Sequence, residues 1–184
     1  MGIIIAFVIL GVIIVGIVSG GVAIYNRLVM LKYNVDKNFA NIDVILKQRV
    51  DEIPNLIAVV KKTQGYEESL LNQLTELRTA FLSSRSTDEK VQLANEVGKL
   101  LNSFFAVSEN YPELKAVESF RTLQLRVSDL EDMLSDRREL YNESVNMYNI
   151  GIHEMPALLF ARPMGYTDKP LLHISEAVSY THLT

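Results

Sequence analysis

The stretch NIDVILKQRVDEIPNLIAVVKK, residues 41–62, decides the fold because its apolar residues repeat at helical spacing. Ile42, Leu46, Leu56 and Val60 lie on one face of an α-helix when they are placed at 3.6 residues per turn. Burying each such side chain contributes about 1.5–3 kcal/mol, which exceeds the value of surface charges in the same stretch. We therefore predict a buried helix face here rather than a catalytic cluster of carboxylates and bases.

Charged residues of this stretch fall on the other side of the predicted helix. Asp43, Lys47 and Asp51 are spaced four residues apart, and residues at this spacing are neighbours on a helix surface. We expect them to form exposed ion pairs within the helix, worth about 0.3–0.5 kcal/mol each.

Apolar residues at helical spacing continue on both sides of this stretch. Alternating steps of four and three residues from Val35 to Phe81 meet mostly apolar side chains, and we call this set of positions the seam. A 3.5-residue period is typical of helices that pack one face against partners. The same pattern predicts two further helices, over about residues 87–109 and 113–149.

Capping residues and a proline mark the ends of the second helix. Ser86 or Thr87 is a suitable N-cap, and acidic residues in the first turn complement the helix dipole. The sequence NYP at 110–112 should end this helix, because proline disfavours a helical residue before it. Short connections favour antiparallel neighbours, so we predict an all-α fold with an elongated antiparallel helical bundle.

Pro54 leaves the number of long helices open. An interior proline costs about 3 kcal/mol and bends a helix, although a first turn tolerates it. The unbroken seam favours one kinked helix and therefore three long helices. The helix over 87–109 is too short to cover a partner from 35 to 81, however. This mismatch favours four helices, with a chain reversal near Asp51, or a second chain that covers residues 35–53.

The N-terminal segment, residues 1–26, has no charged side chain, whereas all 18 Lys and Arg and all 22 Asp and Glu lie from Arg27 onward. A helix of about 20 apolar residues crosses a bilayer. Between Ile3 and Ile24, fifteen Ile, Val, Leu or Phe residues favour insertion by about 5–9 kcal/mol. A cleavable signal peptide would need a basic start and a shorter apolar core. We predict a single transmembrane anchor.

Basic residues after the anchor predict its orientation. Arg27, Lys32 and Lys37 follow the apolar segment closely. The positive-inside rule then places the N-terminus outside and the following chain in the cytoplasm. The expected divisions are a transmembrane anchor (1–26), a helical-bundle domain (27–150) and an irregular C-terminal segment (151–184).

Sequence motifs for catalysis or cofactor binding are absent. There is no G-x-S-x-G, P-loop or GxGxxG sequence and no cysteine, and the three histidines, His153, His173 and His182, all lie near the C-terminus. The net charge is −4 with acids and bases interspersed, which argues against a nucleic-acid partner. We expect no enzyme activity, no metal and no cofactor.

Three charged residues occupy predicted core positions of the helices, and we take them as candidate interaction residues. Arg49, Glu67 and Arg137 each interrupt the apolar spacing. Charges at such positions can fix helix register or hold a ligand inside a bundle. A metal-dependent hydrolase that uses Glu67 is the less favoured alternative to a non-catalytic protein.

Four blocks of sequence resemble the LemA family of bacterial membrane-anchored helical proteins. They are NIDVILKQRVDEIPNLIAVVK (41–61), ENYPELKA (109–116), YNESVNMYN (141–149) and MPALLFARPMGY (155–166). The family-motif residues within them are Asp51, Pro54, Asn55, Tyr141 and Asn142, while Glu52 stands where the family usually has leucine.

The resemblance implies an N-terminal helix in the bacterial inner membrane, a cytoplasmic helical bundle and no established enzymatic activity. The leading hypothesis is a membrane-anchored scaffold that binds the lipid bilayer and unidentified protein partners. A self-assembling structural membrane protein is the alternative, because the GxxxG pair Gly16 and Gly20 would let two membrane helices approach closely.

Overall fold

The computed structural model describes residues 1–62 and 68–172, and within them all regular structure is α-helical, which confirms the predicted all-α class. The elements of this described part are α1 (Gly2–Asp51), α2 (Ile53–Val60), α3 (Glu68–Ser83), α4 (Thr87–Ser108), α5 (Pro112–Lys115), α6 (Glu118–His153) and α7 (Leu158–Ala161).

Helix α1 contains the predicted anchor and continues beyond it. At about 1.5 Å per residue, its 50 residues rise about 75 Å, more than twice the roughly 30 Å of a bilayer core. Its first half exposes large apolar side chains, from Ile3 at 75% to Ile14 at 51%. Within the described residues, this apolar helix is the one candidate for crossing a membrane by length and composition.

The described residues divide into two compact units, and both units draw on α1 and α6. Unit 1 contains Met1–Phe39 and Leu140–Leu172. Unit 2 contains Ala40–Glu139. Unit 1 therefore holds the apolar part of α1 with the end of α6 and α7, and unit 2 holds the end of α1, helices α2 to α5 and the first part of α6.

Pro54 lies in the first turn of α2, just after a one-residue interruption of the helix at Glu52, and the chain does not reverse there. Glu52, which separates α1 from α2, keeps a right-handed helical conformation with φ −78° and ψ −17°. The amide of Glu52 bonds the carbonyl of Arg49 at 3.3 Å, and the amide of Leu56 bonds the carbonyl of Glu52 at 3.0 Å. Helical bonds therefore continue around the proline, which itself has no N–H to donate.

The chain reverses after α2, so both predictions for the region up to Phe81 need correction. Helix α2 ends at Val60 and a turn follows at Lys61 and Lys62. Helix α3 then packs against α2, and Arg78 of α3 reaches back to Asp51 at 3.8 Å. A continuous helix to Phe81 is wrong, and so is a reversal near Asp51.

The directions of the helices in unit 2 follow from their side-chain pairs. Helix α4 runs parallel to the end of α1, since Lys90 pairs with Asp43 at 2.9 Å and Gly98 lies against Arg49. Helix α6 runs antiparallel to α1, since Glu131 contacts Arg49 while the earlier residue Arg126 pairs with the later residue Glu52. Helices α1 and α2 thus continue in one direction, whereas α4 and α6 run in opposite directions.

Helix α4 begins where its capping residues predict, while the third long helix begins later than predicted. Ser86 occupies the N-cap position with an extended backbone, and its carbonyl accepts the Lys90 amide at 3.0 Å. The predicted helix over 113–149 is instead the single turn α5 followed by α6, which extends to His153. The intervening break allows Leu114 to be fully buried.

The seam is buried in both units. Val35, Ile42, Leu46, Ile53, Leu56 and Val60 are at most 1% exposed. A cluster of aromatic rings in unit 2 extends this core, with the Phe104 centroid 5.5 Å from that of Phe105 in an edge-on pair and 6.3 Å from that of Phe120 in a tilted pair. Predicted seam positions on α3 and α4 are covered less completely: Leu77 and Leu100 are only half-buried.

Burial along α1 also extends into the apolar segment, which the sequence does not predict. Stepping back from Val35 by four and three residues reaches Leu31, Leu28, Ile24 and Gly21. Leu28 is fully buried and the other three are half-buried, whereas the remaining faces of the segment are exposed. The last part of α6 and α7 cover this face within unit 1.

Candidate interaction site

Arg49 is the buried charge of unit 2. Its side chain is 3% exposed and pairs with Glu131, whose side chain is 23% exposed. One guanidinium nitrogen also lies 3.5 Å from the carbonyl of Ala94, while Nε has no hydrogen-bond partner in residues 1–62 and 68–172. Burial lowers the pKa of Arg49 to about 10, so the guanidinium stays charged at neutral pH.

Gly98 on α4 provides the space for this guanidinium. A Cβ added at Gly98 would lie 2.7 Å from one terminal nitrogen of Arg49 and 3.3 Å from its Cζ. Any side chain at this position would therefore require the guanidinium of Arg49 to shift. The glycine, the arginine and the glutamate belong to three different helices, so this ion pair fixes the relative register of those helices in unit 2.

Glu52 is a second buried charge, one helical turn from Arg49. Arg126 of α6 pairs with its carboxylate at 2.5 Å, and Asn55 donates a hydrogen bond to it at 3.0 Å. The Glu52 side chain is only 8% exposed, while that of Arg126 is 65% exposed. Two ion pairs thus join the end of α1 to α6: in one the arginine is on α1, and in the other the arginine is on α6.

The acidic residues of the opening stretch pair with other helices rather than within their own. Asp43 binds Lys90 of α4 at 2.9 Å, and Asp51 approaches Arg78 of α3 to 3.8 Å. The predicted pairs within the helix therefore need correction, because tertiary partners lie on that face. Lys47 is exposed.

The other two candidate seam charges do not join this centre. Arg137 has an exposed side chain on α6 and does not enter the core. Glu67 lies outside the described residues. Of the three candidate interaction residues, only Arg49 is placed at a buried polar site.

The motif YNESVNMYN clamps the C-terminal segment onto α6 in unit 1. Asn142 donates to the carbonyl of Leu172 at 3.2 Å and accepts from its amide at 2.8 Å. Asn149 forms the same pair of bonds with Lys169, both at 2.9 Å. Each asparagine thus binds one backbone residue through a donor and an acceptor. We call residues 166–172 the strap.

The spacing of the two asparagines matches the rise of the strap. Seven residues of helix between Asn142 and Asn149 rise about 10.5 Å, and three extended residues between Lys169 and Leu172 span about 10 Å. The distance between the two asparagines along α6 therefore equals the distance between the two strap residues that they bind. This match explains why the motif repeats Tyr-Asn at an interval of seven.

The two tyrosines of the motif make further contacts, Tyr148 with the strap and Tyr141 with α1. Tyr148 donates a hydrogen bond to the carbonyl of Thr167 at 3.1 Å, and burial, with the neighbouring Tyr166, raises the pKa of the Tyr148 hydroxyl. The ring of Tyr141 packs edge-on against Phe39 at 5.9 Å. The motif therefore binds the backbone of the strap, and its first tyrosine packs α6 against α1.

Charged contacts join the strap to α1 and to α6 as well. The ammonium of Lys169 pairs with Asp36 at 2.8 Å and lies 5.7 Å from the centre of the Tyr148 ring. His153 contacts Asp168 at 2.9 Å. Sequence reasoning missed this arrangement, although the repeated Tyr-Asn pair was the available signal.

An open groove lies between α3 and α4 in unit 2. It encloses about 480 Å³. Its lining combines half-buried apolar side chains with exposed polar ones: Gln73, Glu76, Leu77, Ala80, Glu96, Lys99, Leu100 and Ser103. The groove thus leaves Leu77 and Leu100, two apolar residues at helical spacing, partly uncovered.

A long apolar helix and helical segments fixed by buried ion pairs and by a clamped strap define a membrane-associated helical protein. The LemA family sequence profile matches residues 38–182. The chain belongs to the LemA family.

The curated relatives are magnetosome proteins. Magnetosome proteins MamQ 1 and MamQ 2 of Paramagnetospirillum magneticum are each 23% identical to the chain over 158 residues, which cover 72% of this chain and 58% of the relative. Magnetosome protein MamQ of Magnetospirillum gryphiswaldense is 20% identical over 175 residues, covering 81% and 64%. The chain therefore spans less than two thirds of the length of these relatives.

Gly98→Ala should lower the free energy of unfolding by about 1–3 kcal/mol, because the added methyl group displaces the guanidinium of Arg49. In an Arg49→Ala background the same change should cost nothing, since the clash is gone and alanine favours the helix by about 1 kcal/mol. Urea unfolding of the unchanged protein, the two single variants and the double variant measures the coupling energy between Gly98 and Arg49. Equal costs in both backgrounds would contradict the assigned role of Gly98.

Asn149→Leu should release the strap at Lys169, because it removes two hydrogen bonds worth about 0.5–1.5 kcal/mol each. Hydrogen exchange at the Lys169 amide should accelerate. The matched control is Asn146→Leu, which changes an exposed position on the same helix. Unchanged exchange in the Asn149 variant would show that the clamp does not hold the strap.

Proposed function

We propose that this protein is a membrane-anchored scaffold that presents a helical bundle to the cytoplasm and binds a protein partner there. The single observation that carries the proposal is the exposure along α1. Its apolar first half leaves side chains uncovered, while its later seam residues are fully buried. Lipid is the environment that accepts such a surface, whereas unit 2 supplies its own core.

The groove between α3 and α4 is the surface that we assign to the partner. Leu77 and Leu100 continue the seam but remain half-buried, so the groove has an apolar floor. Such a groove between helices accepts an amphipathic helix that inserts apolar residues at intervals of three and four. The lining carries two carboxylates, Glu76 and Glu96, against one cation, Lys99, so its net charge favours a partner helix with basic flanks.

The orientation and the absence of catalysis belong to the same proposal. The cations after the anchor favour a cytoplasmic location for unit 2 and an outside N-terminus in the bacterial inner membrane. The buried charges Arg49 and Glu52 serve to fix helix register, so we assign no catalytic step to them. The relatives named for the magnetosome support membrane association only, because 20–23% identity does not transfer the magnetosome itself to this chain.

Self-assembly in the membrane is the second candidate function. Apart from the adjacent residues and the nearby backbone of α1, no described atom lies within 4 Å of a Cβ added at Gly16 or Gly20. These glycines thus leave a flat surface on the apolar helix where a second copy could pack closely. The two functions are compatible, since the glycines and the groove lie in different units.

Proximity labelling tests the scaffold function in the native membrane, with the labelling enzyme fused to the C-terminus. We expect cytoplasmic neighbours and at least one neighbour that depends on the groove. Leu100→Arg should remove that neighbour, because a charge in the apolar floor opposes insertion of a partner helix. Circular dichroism of each variant checks that the fold is retained.

Leu82→Arg is the matched control for this experiment. Leu82 is 46% exposed near the end of α3 and lies outside the groove. The control should keep the groove-dependent neighbour. Labelling of proteins from outside the membrane would contradict the orientation, and identical neighbours in both variants would contradict the groove.

A further inference from the structure

In unit 1, the end of α6 and the residues up to α7 run back along α1 toward the apolar segment. They contact α1 in a regular series. The ring of Phe39 meets Tyr141, and Leu31 lies against Gly151. Arg27 then pairs with Glu154 at 2.7 Å. The pairing thus moves toward the N-terminus of α1 as the chain proceeds along α6.

The next contact in this series lies inside the uncharged segment. A Cβ at Gly21 would meet the ring of Phe160 at 3.7 and 3.8 Å, which is ordinary van der Waals distance. Phe160 belongs to α7, so this short helix lies beside the apolar part of α1. If α1 crosses a bilayer, α7 is at the level of the lipid.

The segment that reaches this level is itself apolar. Residues 155–161 have the sequence MPALLFA and contain no charge. Met155 is 68% exposed, Leu159 is 64% exposed and Phe160 is 36% exposed. Burying side chains of this size is worth about 1.5–3 kcal/mol each. Their exposure side by side indicates a partner surface rather than scattered apolar residues.

We propose that Met155–Ala161 is a second membrane-contacting element, which inserts into the lipid bilayer beside the anchor. We call it the interfacial segment. The bilayer is its partner because the segment is continuous with the surface of α1 that lipid covers. This inference rests on the proposed anchoring of α1 and does not depend on the scaffold role.

The depth of the interfacial segment agrees with this assignment. Six residues separate Gly21 from Arg27, the first charged side chain of α1, and they rise about 9 Å. Amphipathic helices that lie in the membrane interface bury their apolar face about 5–10 Å. Phe160 therefore reaches the boundary between lipid headgroups and acyl chains.

Charged residues at both ends of the segment fit the same position. Glu154 is neutralised by Arg27 at the level where charge first occurs on α1. Arg162 follows the segment and is exposed, so it can meet lipid phosphate groups. Tyr25 is half-exposed at the same level, and tyrosine is enriched at membrane interfaces.

Because the chain has no cysteine, a single introduced cysteine can report on lipid contact in the full-length protein. Leu159→Cys is labelled with an environment-sensitive fluorophore and reconstituted into phosphatidylcholine nanodiscs at one protein per disc. Lipids with a nitroxide near the headgroup should quench the fluorophore strongly. Leu140→Cys is the matched control, since this exposed residue lies about 20 residues earlier; it should not be quenched.

The adjacent residues Gly21 and Gly20 offer a second test with a matched control. Gly21→Leu should displace Phe160 from α1 and reduce quenching at Leu159→Cys several-fold. Gly20→Leu changes the neighbouring residue, around which no described atom lies within 4 Å. It should leave the quenching unchanged.

A third cysteine separates failure of this inference from failure of the anchor. Val12→Cys lies in the exposed apolar part of α1 and should be quenched by lipids with a deep nitroxide. Quenching at Val12→Cys without quenching at Leu159→Cys would overturn the interfacial segment alone. Absence of quenching at both would overturn the anchor and, with it, this inference. Equal quenching at Leu159→Cys and Leu140→Cys would also overturn the interfacial segment.

Discussion

The structure depends on the burial of one apolar stripe along α1. From Gly21 to Val50 this stripe meets residues of the same chain, while the other faces of the first half remain exposed. Fully buried side chains such as Leu28, Val35 and Leu46 each contribute about 1.5–3 kcal/mol. One helix thus has two environments: its stripe packs against protein, and the rest of its apolar half requires lipid.

Polar contacts define how the other helices meet this stripe, because apolar packing alone tolerates shifts in register. The ion pair between Arg49 and Glu131 requires the space left by Gly98, so it favours one alignment of three helices. In unit 1, Asn142 and Asn149 define the position of the strap on α6, because each binds the backbone of one strap residue. Removing one partner of a buried ion pair typically costs about 3–5 kcal/mol.

The sequence predicted the helices and most of the seam because burial leaves a 3.5-residue period wherever the opposite face is polar. That signal fails in the apolar segment, where residues on all faces are apolar, so the burial of Leu28 and Gly21 could not be predicted. The chain reversal after Val60 was also missed, since the seam keeps its period across the turn. The pairing of Arg49 with Glu131 depends on tertiary contacts 82 residues apart, which spacing does not reveal.

Cysteine accessibility in unit 1 tests most directly whether the chain covers the stripe itself. Val35→Cys lies on the stripe and is 1% exposed, whereas Tyr33→Cys lies on another face and is 66% exposed. In dilute full-length protein held in nanodiscs, maleimide should label Tyr33→Cys rapidly and leave Val35→Cys unlabelled until the protein is unfolded. Equal labelling rates would contradict the account, because the stripe would then be uncovered. Protection of Val35→Cys only at high protein concentration would also contradict it and would show that a second chain covers α1.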